Sequence, residues 1–283
     1  MTHGFNDDDL IDEVAVIIVA AGAGTRLGAK RPKALVGLAG EAMLSHSLRA
    51  FEQHSAVDSI ILVVPEDWIG PVEVLVEDLG CDKVSSIEAG GASRAASVVA
   101  GLAAVADRRG TAVLVHDAAR PRVPSSLVDR VLAPLAEGWD GVVPGLPVAD
   151  TVKVIGEGGM VTATLGRDQL SAAQTPQACR ASALHAALRD KTEEELAALT
   201  DDTQAIELNG GRVRMVVGDT RTIKITTADD LAAVERALQP VQPLIQVTQV
   251  DGATHAADDL DSDSEHPDDL VEPHADDLAG TES

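Results

Sequence analysis

The 283-residue sequence predicts an α/β fold, a mainly parallel sheet with helices on both faces. Short Val- and Ile-rich runs recur along the chain with longer helix-period stretches between them, the rhythm of strand–helix–strand crossovers. The runs are apolar on both sides rather than alternating, as strands covered on both faces must be. In such sheets ligands bind beyond the carboxyl ends of the strands, so loops that directly follow strands are the places to look for chemistry.

In chain order, Val14–Ala20 reads as a strand that runs into the glycine-rich loop "AGAGTRLGAKRPK". Ala42–Phe51 is a helix, Ile60–Val64 a strand and Val72–Leu79 a helix, each set by its hydrophobic period. Val84–Ile87 is a short strand before the helix Arg94–Ala106. Thr111–Val115 is the next strand, followed by Ser126–Leu135, a helix opened by Pro124 and Ser125. Gly141–Val143 is a strand. Pro147–Gly166 holds two β-like runs around Gly156, Gly158 and Gly159, which predicts a hairpin projecting as an arm. Thr220–Thr227 reads as a strand carrying Lys224, and Ala228–Leu238 as a terminal helix.

The net charge of −24 belongs mostly to the ends. From Val241 onward there are twelve acids and no Lys or Arg, and residues 1–13 add five more acids without a base. Low hydrophobicity with high charge predicts disorder in both tails, leaving a folded body over residues 14–240. Aromatic residues are 1% of the chain, which argues against a base-stacking nucleic-acid platform. The N-terminus is acidic before its first apolar run, unlike a secretory signal, and no apolar run reaches membrane-spanning length. A cytoplasmic protein that binds neither nucleic acid nor membrane is expected. Cys81 and Cys179 have no paired spacing and read as isolated thiols.

Three strand-following loops carry candidate chemistry. The first has Gly22 and Gly24, but Leu27 stands where a dinucleotide fingerprint needs its third glycine, and no Gly-Lys-Ser/Thr comes after it as in a P-loop. It is either a phosphate-binding loop of backbone N–H groups flanked by Arg26 and Lys33, or an ordinary turn with solvated cations. The second, "GGASRAASVVAGL", has Gly90 and Gly91 for close ligand approach and Ser97 to bond a base or sugar; the plainer alternative is a small-residue helix start. The third, "VLVHDAARP", places His116 and Asp117 at a strand end. Without a G-x-S-x-G elbow a hydrolase triad fails, so Asp117 either caps a turn or helps hold Mg²⁺ or a hydroxyl. Lys224, on its strand among apolar neighbours, reads as an outward-facing lysine.

Taken in order, "AAGAGTRLGAKRPKAL", "GGASRAASVVAGL", "VHDAARP", "ADTVK", "TPQA" and "TIKIT" resemble the 2-C-methyl-D-erythritol 4-phosphate cytidylyltransferases over roughly Val14 to Leu238. The resemblance implies a Rossmann-like nucleotidyltransferase sheet, a Mg²⁺-assisted transfer of CMP from CTP to a sugar-alcohol phosphate, and a homodimer joined by the arm at 147–168. It implies that Arg26 and Lys33 stabilise the reacting α-phosphate, and that Ala20, Ala21, Gly22, Ala23, Gly24 and Thr25 cradle CTP. Gly91 and Ser97 are implied to read cytosine and ribose, and Asp117 to contact the acceptor. Thr151 and Arg167 are implied to reach the acceptor from the neighbouring subunit, with Lys224 on its phosphate. Mg²⁺ is implied to ride mainly on the CTP phosphates, with Asp117 as its candidate protein ligand. The sequence departs from the family's habit at Ala92 and Ser93, at Asp202 where glutamate is usual, and at Thr222. Close relatives use ribitol 5-phosphate, which is the second acceptor to consider. A non-catalytic scaffold that engages a partner through the acidic tail is the reading from another class.

Overall fold

The computed structural model describes residues 10–22, 31–106 and 110–239. Residues 1–9 and 240–283 and the loop residues Ala23, Gly24, Thr25 and Arg26 lie outside the described residues. The expected N-terminal tail is corrected at residues 10–13, which are described, with Glu13 starting the first strand in register with Thr111. The elements are β1 (Glu13–Val19), β2 (Gly37–Leu38), β3 (Glu41–Ala42), α1 (Met43–Glu52), β4 (Ser59–Val64), α2 (Ile69–Leu79), β5 (Val84–Ala89), α3 (Arg94–Leu102), β6 (Thr111–Asp117) and α4 (Ser125–Leu132). Next come β7 (Gly141–Pro147), β8 (Lys153–Ile155), β9 (Val161–Thr164), β10 (Ser171–Ala173), β11 (Gln177–Arg180), α5 (Ala181–Leu188), α6 (Glu193–Ala198), α7 (Asp202–Leu208), β12 (Val213–Val217) and α8 (Ala228–Leu238).

Strands β5, β4, β1 and β6 lie side by side and parallel. Beyond β6 the sheet turns mixed: β11 runs antiparallel between β6 and β7, β10 continues the same antiparallel line along β7, and β12 closes the edge parallel to β7. The chain thus winds outward from β1 in both directions. The crevice between β1 and β6 is the point where the winding reverses, which is where such sheets bind ligands.

Period-two alternation divides the core between the two faces of the sheet. Val16, Ile18, Ile60, Leu62 and Leu114 point to the side covered by α1, α2 and α4. Ile17, Ile61, Val63, Val113 and Val115 point to the side covered by α3, α5 and α7. All ten side chains are buried, so β1, β4 and β6 read as continuous apolar runs for the reason the sequence suggested. A third small cluster joins Leu38, Met43, Ile225 and Val234. It fastens α8 against the two segments that carry Lys33 and Lys224.

The antiparallel line β10–β11, the strand β12 and the helices α5, α6 and α7 go beyond the sequence expectations, being short and weakly periodic. Thr220–Thr227 is a correction: it forms no strand. Its backbone is instead tied down piecemeal, Ile225 N–H donating to the Ala119 carbonyl at 2.8 Å and Arg120 Nη1 donating to the Thr222 carbonyl at 2.7 Å. The helix expected at Arg94–Ala106 stops at Leu102. The projecting hairpin is present, β8 against β9, with each of their seven residues exposed. Among the described residues no helix is long and apolar enough to cross a membrane. Both cysteines are free and buried, and burial pushes both thiols up.

At Gly101 helix α3 packs directly on the sheet. A Cβ there would lie 2.7 Å from Ile17 and 2.8 Å from Val63. Gly101→Ala is therefore expected to destabilise the protein by about 1–3 kcal/mol through overpacking, read as a lower urea midpoint at unchanged m-value.

Candidate active site

The carboxyl ends of β1, β5 and β6 open into one cleft of about 520 Å³. Val19, Ala20, Ala21 and Gly22 form one wall, Gly91 to Arg94 with Ser97 the second, and Asp117 to Ala119 the third; Lys33, Ala34, Lys224 and Thr226 complete it. The walls close up because the loop after β5 crosses the end of β4. Ala20 N–H donates to the Val63 carbonyl at 2.7 Å and Gly90 N–H to the Val64 carbonyl at 2.8 Å. A Cβ on Gly90 would stand 2.3 Å from the Ala21 methyl, so the two loops meet only because position 90 has none.

Ser97 is buried on α3, and its hydroxyl works inside the loop. It donates to the Ser93 carbonyl at 2.9 Å and accepts from Gly91 N–H at 3.1 Å. Ser93 in turn caps α3, accepting from Ala96 N–H at 3.1 Å. Ser97 therefore shapes the wall that it lines.

The charged centre is a line of four groups of alternating sign. Asp117, 7% exposed, ends β6. Its Oδ1 accepts from Arg94 Nε at 2.8 Å and its Oδ2 from Lys224 Nζ at 2.7 Å. Arg94 spends the rest of its fork on Asp202 at the start of α7, Nη1 to Oδ1 at 3.0 Å and Nη2 to Oδ2 at 2.8 Å. Burial works to raise Asp117, but Arg94 and then Lys224 outweigh it and hold the carboxyl well below the usual carboxylate range. Burial likewise raises Asp202, against the pull of Arg94. Burial disfavours the Arg94 charge, and the two carboxylates more than restore it. Lys224 keeps 40% of its side chain exposed, so its ammonium faces the cleft from a fixed base.

His116 sits behind this line and is fully buried. Its Nε2–H donates to the Arg120 carbonyl at 3.1 Å, which leaves Nδ1 to accept from Thr175 Oγ1 at 3.2 Å. Thr175 Oγ1 itself accepts from Asp117 N–H at 3.1 Å. Burial pushes His116 down to about 4, so the ring is neutral at pH 7.

The cleft thus gathers Ala20, Ala21, Gly22, Lys33, Gly91, Ser97, Asp117 and Lys224 from the sequence-predicted set. Thr151 and Arg167 are not brought there. They lie exposed at the two ends of the hairpin, where Arg167 Nη1 donates to the Ala149 carbonyl at 2.7 Å. Sequence reasoning missed Arg94 and Asp202 as members of the site. The signal was present in "SRAAS" and in the aspartate of "TDDT", but their pairing across 108 positions needs the fold.

Residues 14–240 match the family described as 2-C-methyl-D-erythritol 4-phosphate cytidylyltransferase. The chain is 40% identical over 233 residues to the 2-C-methyl-D-erythritol 4-phosphate cytidylyltransferase of Geobacter metallireducens, covering 81% of this chain and 99% of the relative. It is 42% identical over 218 residues to the enzyme of that name from Rhodococcus opacus, covering 77% and 92%. Among solved structures it resembles the 2-C-methyl-D-erythritol 4-phosphate cytidylyltransferase of Thermus thermophilus, with TM-score 0.63 and 31% identity over 80% of this chain and 98% of the other.

The buried charges make stability sensitive to substitution and to pH. Arg94→Met leaves Asp202 buried and unpaired and is expected to cost about 3–5 kcal/mol at pH 7, with Asp202→Asn on the same background restoring much of it in urea unfolding. His116 has its folded value depressed, so its contribution is full above the unfolded value of 6.5 and is lost as pH falls toward about 4. Unfolding free energy should decline by about 3 kcal/mol across that window, and His116→Gln should flatten the decline.

Proposed function

This chain belongs to the 2-C-methyl-D-erythritol 4-phosphate cytidylyltransferase family and is a cytidylyltransferase of the non-mevalonate isoprenoid pathway, and we propose a division of work among its residues. CTP lies across Ala20–Gly22 and the Gly91–Ser97 wall, its triphosphate beside Lys33 and, from the loop outside the described residues, Ala23–Thr25 and Arg26. A phosphate oxygen of 2-C-methyl-D-erythritol 4-phosphate attacks the α-phosphorus. One P–O bond forms to the acceptor, the bond to the β-phosphate oxygen breaks, and pyrophosphate leaves with its electron pair.

Little covalent chemistry falls to the protein in such a transfer; positioning and charge stabilisation do the work. Two polyanions must be brought together, and cations lower the cost of that encounter. Lys33 serves the equatorial oxygens of the reacting phosphorus, with Arg26 as its partner in that role. Lys224 holds the acceptor phosphate, and Asp117 accepts a hydrogen bond from an acceptor hydroxyl through its remaining lone pairs. The observation that carries this reading is the convergence of Lys33, Asp117 and Lys224 on one cleft at the point where the sheet reverses its winding.

Asp117 is the one carboxylate among the described residues that line the cleft, and among the described residues no three His, Cys, Asp or Glu side chains converge to hold a metal. That donor set fits Mg²⁺ that would be carried mainly by the phosphate oxygens of CTP and by water, with Asp117, whose oxygens are already paired with Arg94 and Lys224, as its one candidate protein ligand among the described lining residues. When bound, Mg²⁺ neutralises triphosphate charge and favours departure of pyrophosphate.

Thr151 and Arg167 are supplied in this reading to the cleft of a second copy. The hairpin that carries them exposes Ile155, Met160 and Val161, between 55% and 68% each, an apolar surface suited to a dimer contact. Residues 1–13 and 241–283 lie outside the family match.

Pyrophosphate release with CTP, Mg²⁺ and methylerythritol phosphate tests the activity, with ribitol 5-phosphate as the competing acceptor; preference for ribitol phosphate would overturn the acceptor assignment. Lys33→Ala is expected to lower kcat about 100- to 1,000-fold. Arg167→Ala should raise the acceptor KM more than the CTP KM. Mixing the two variants should recover about a quarter of wild-type activity if sites are shared across a two-fold dimer, and no recovery would exclude sharing.

A further inference from the structure

We propose that the segment Gln174–Gln177, the link from β10 together with the first residue of β11, is the positioning element of the acceptor side of the cleft. Its three polar side chains each fix a different piece of backbone that carries a site residue. This inference rests on the functional reading above, in which Lys224 and Asp117 meet the acceptor.

Gln174 is 6% exposed and pairs with Asp219 in both directions. Its Nε2–H donates to the Asp219 carbonyl at 3.1 Å, and its Oε1 accepts from Asp219 N–H at 2.9 Å. The slot is built for it: a Cβ on Gly218 would lie 2.2 Å from Oε1. The backbone held in this way starts the loop that leads to Lys224, and the loop closes on the same anchor, since Thr222 N–H and its hydroxyl also donate to the Asp219 carbonyl, at 3.1 and 2.8 Å. Thr175 holds the amide of Asp117 and the ring of His116. Gln177, 1% exposed, accepts from Asp202 N–H and Thr203 N–H, both at 3.1 Å, and so sets the start of α7 from which Asp202 reaches Arg94.

Lys224, Asp117 and Asp202 stand on three separate segments of the chain, and each segment is tied to this one four-residue stretch. The stretch itself is anchored in the sheet, Gln174 N–H donating to the Pro144 carbonyl at 2.7 Å and Gln177 in register with Val115 on β6. A buried glutamine that satisfies both backbone groups of a distant residue fixes that residue's place as a ladder bond would.

Gln174→Met keeps the side chain's length and removes both hydrogen-bonding groups. In the full-length protein, amide exchange at Asp219–Ile225 is expected to accelerate at least tenfold while β1 and β4 stay protected. The KM for methylerythritol phosphate is expected to rise about tenfold and the KM for CTP to stay within twofold. Gln174→Glu retains the acceptor for Asp219 N–H and should fall between wild type and Met; it carries both readouts should the Met variant fail to fold. Unchanged exchange at Asp219–Ile225 would overturn the proposal. So would faster exchange with both KM values unmoved, or an equal loss for both substrates. Faster exchange in the Gln174 variants together with a wild-type protein that turns over no methylerythritol phosphate would strike the functional reading and leave the anchoring role of Gln174 intact.

Discussion

A carboxylate buried at the end of a central strand has to be paired, and that constraint organises this molecule. Asp117 closes β6 with one oxygen on Arg94 and the other on Lys224. Arg94 then needs a second carboxylate for the rest of its guanidinium, which brings in Asp202 and with it the start of α7. Lys224 needs a loop fixed well enough to hold its ammonium there, which brings in Gln174 and Arg120. The crossing of α3, the seating of α7 and the path of the chain before α8 are all bound up with satisfying one aspartate. The same pairing leaves an ammonium at the mouth of the cleft on a rigid base, so the positive charge that phosphate chemistry requires is in place before substrate arrives.

An acidic chain binding two polyanions is less contradictory than its net charge suggests. The charge of −24 is concentrated in the two ends, which carry 17 acids and no Lys or Arg. Inside the cleft the balance is reversed: Lys33, Arg94 and Lys224 face a single lining carboxylate among the described residues. Local geometry, and not the sum over the chain, sets the potential that a phosphate meets.

The parallel half of the fold was legible in the sequence because β1, β4 and β6 are buried on both faces and their apolar runs have no competing interpretation. The hairpin was legible from Gly156, Gly158 and Gly159. The antiparallel half was not, because β10 and β11 have three and four residues and draw their stability from tertiary hydrogen bonds that no local pattern records. Lys224 misled for a related reason: its apolar neighbours look like a strand, yet Ile225 is buried against α8, not on a sheet face. For the site, the glycines and Lys33 could be found by inspecting the loop after each strand. Arg94 could not, because an arginine at a helix start reads as solvated until Asp117 and Asp202 are seen to converge on it.

The ionisation of Asp117 can be observed directly through the ¹³C shift of its carboxyl carbon as pH is lowered from 7 to about 3 in the folded protein. A carboxylate that stays ionised across that range is expected, because Arg94 and Lys224 hold it far below an unperturbed aspartate near 3.9. An ordinary titration centred near that value, or a higher one, would mean that the pairing does not hold the carboxylate, and the organising role given to Asp117 would fall.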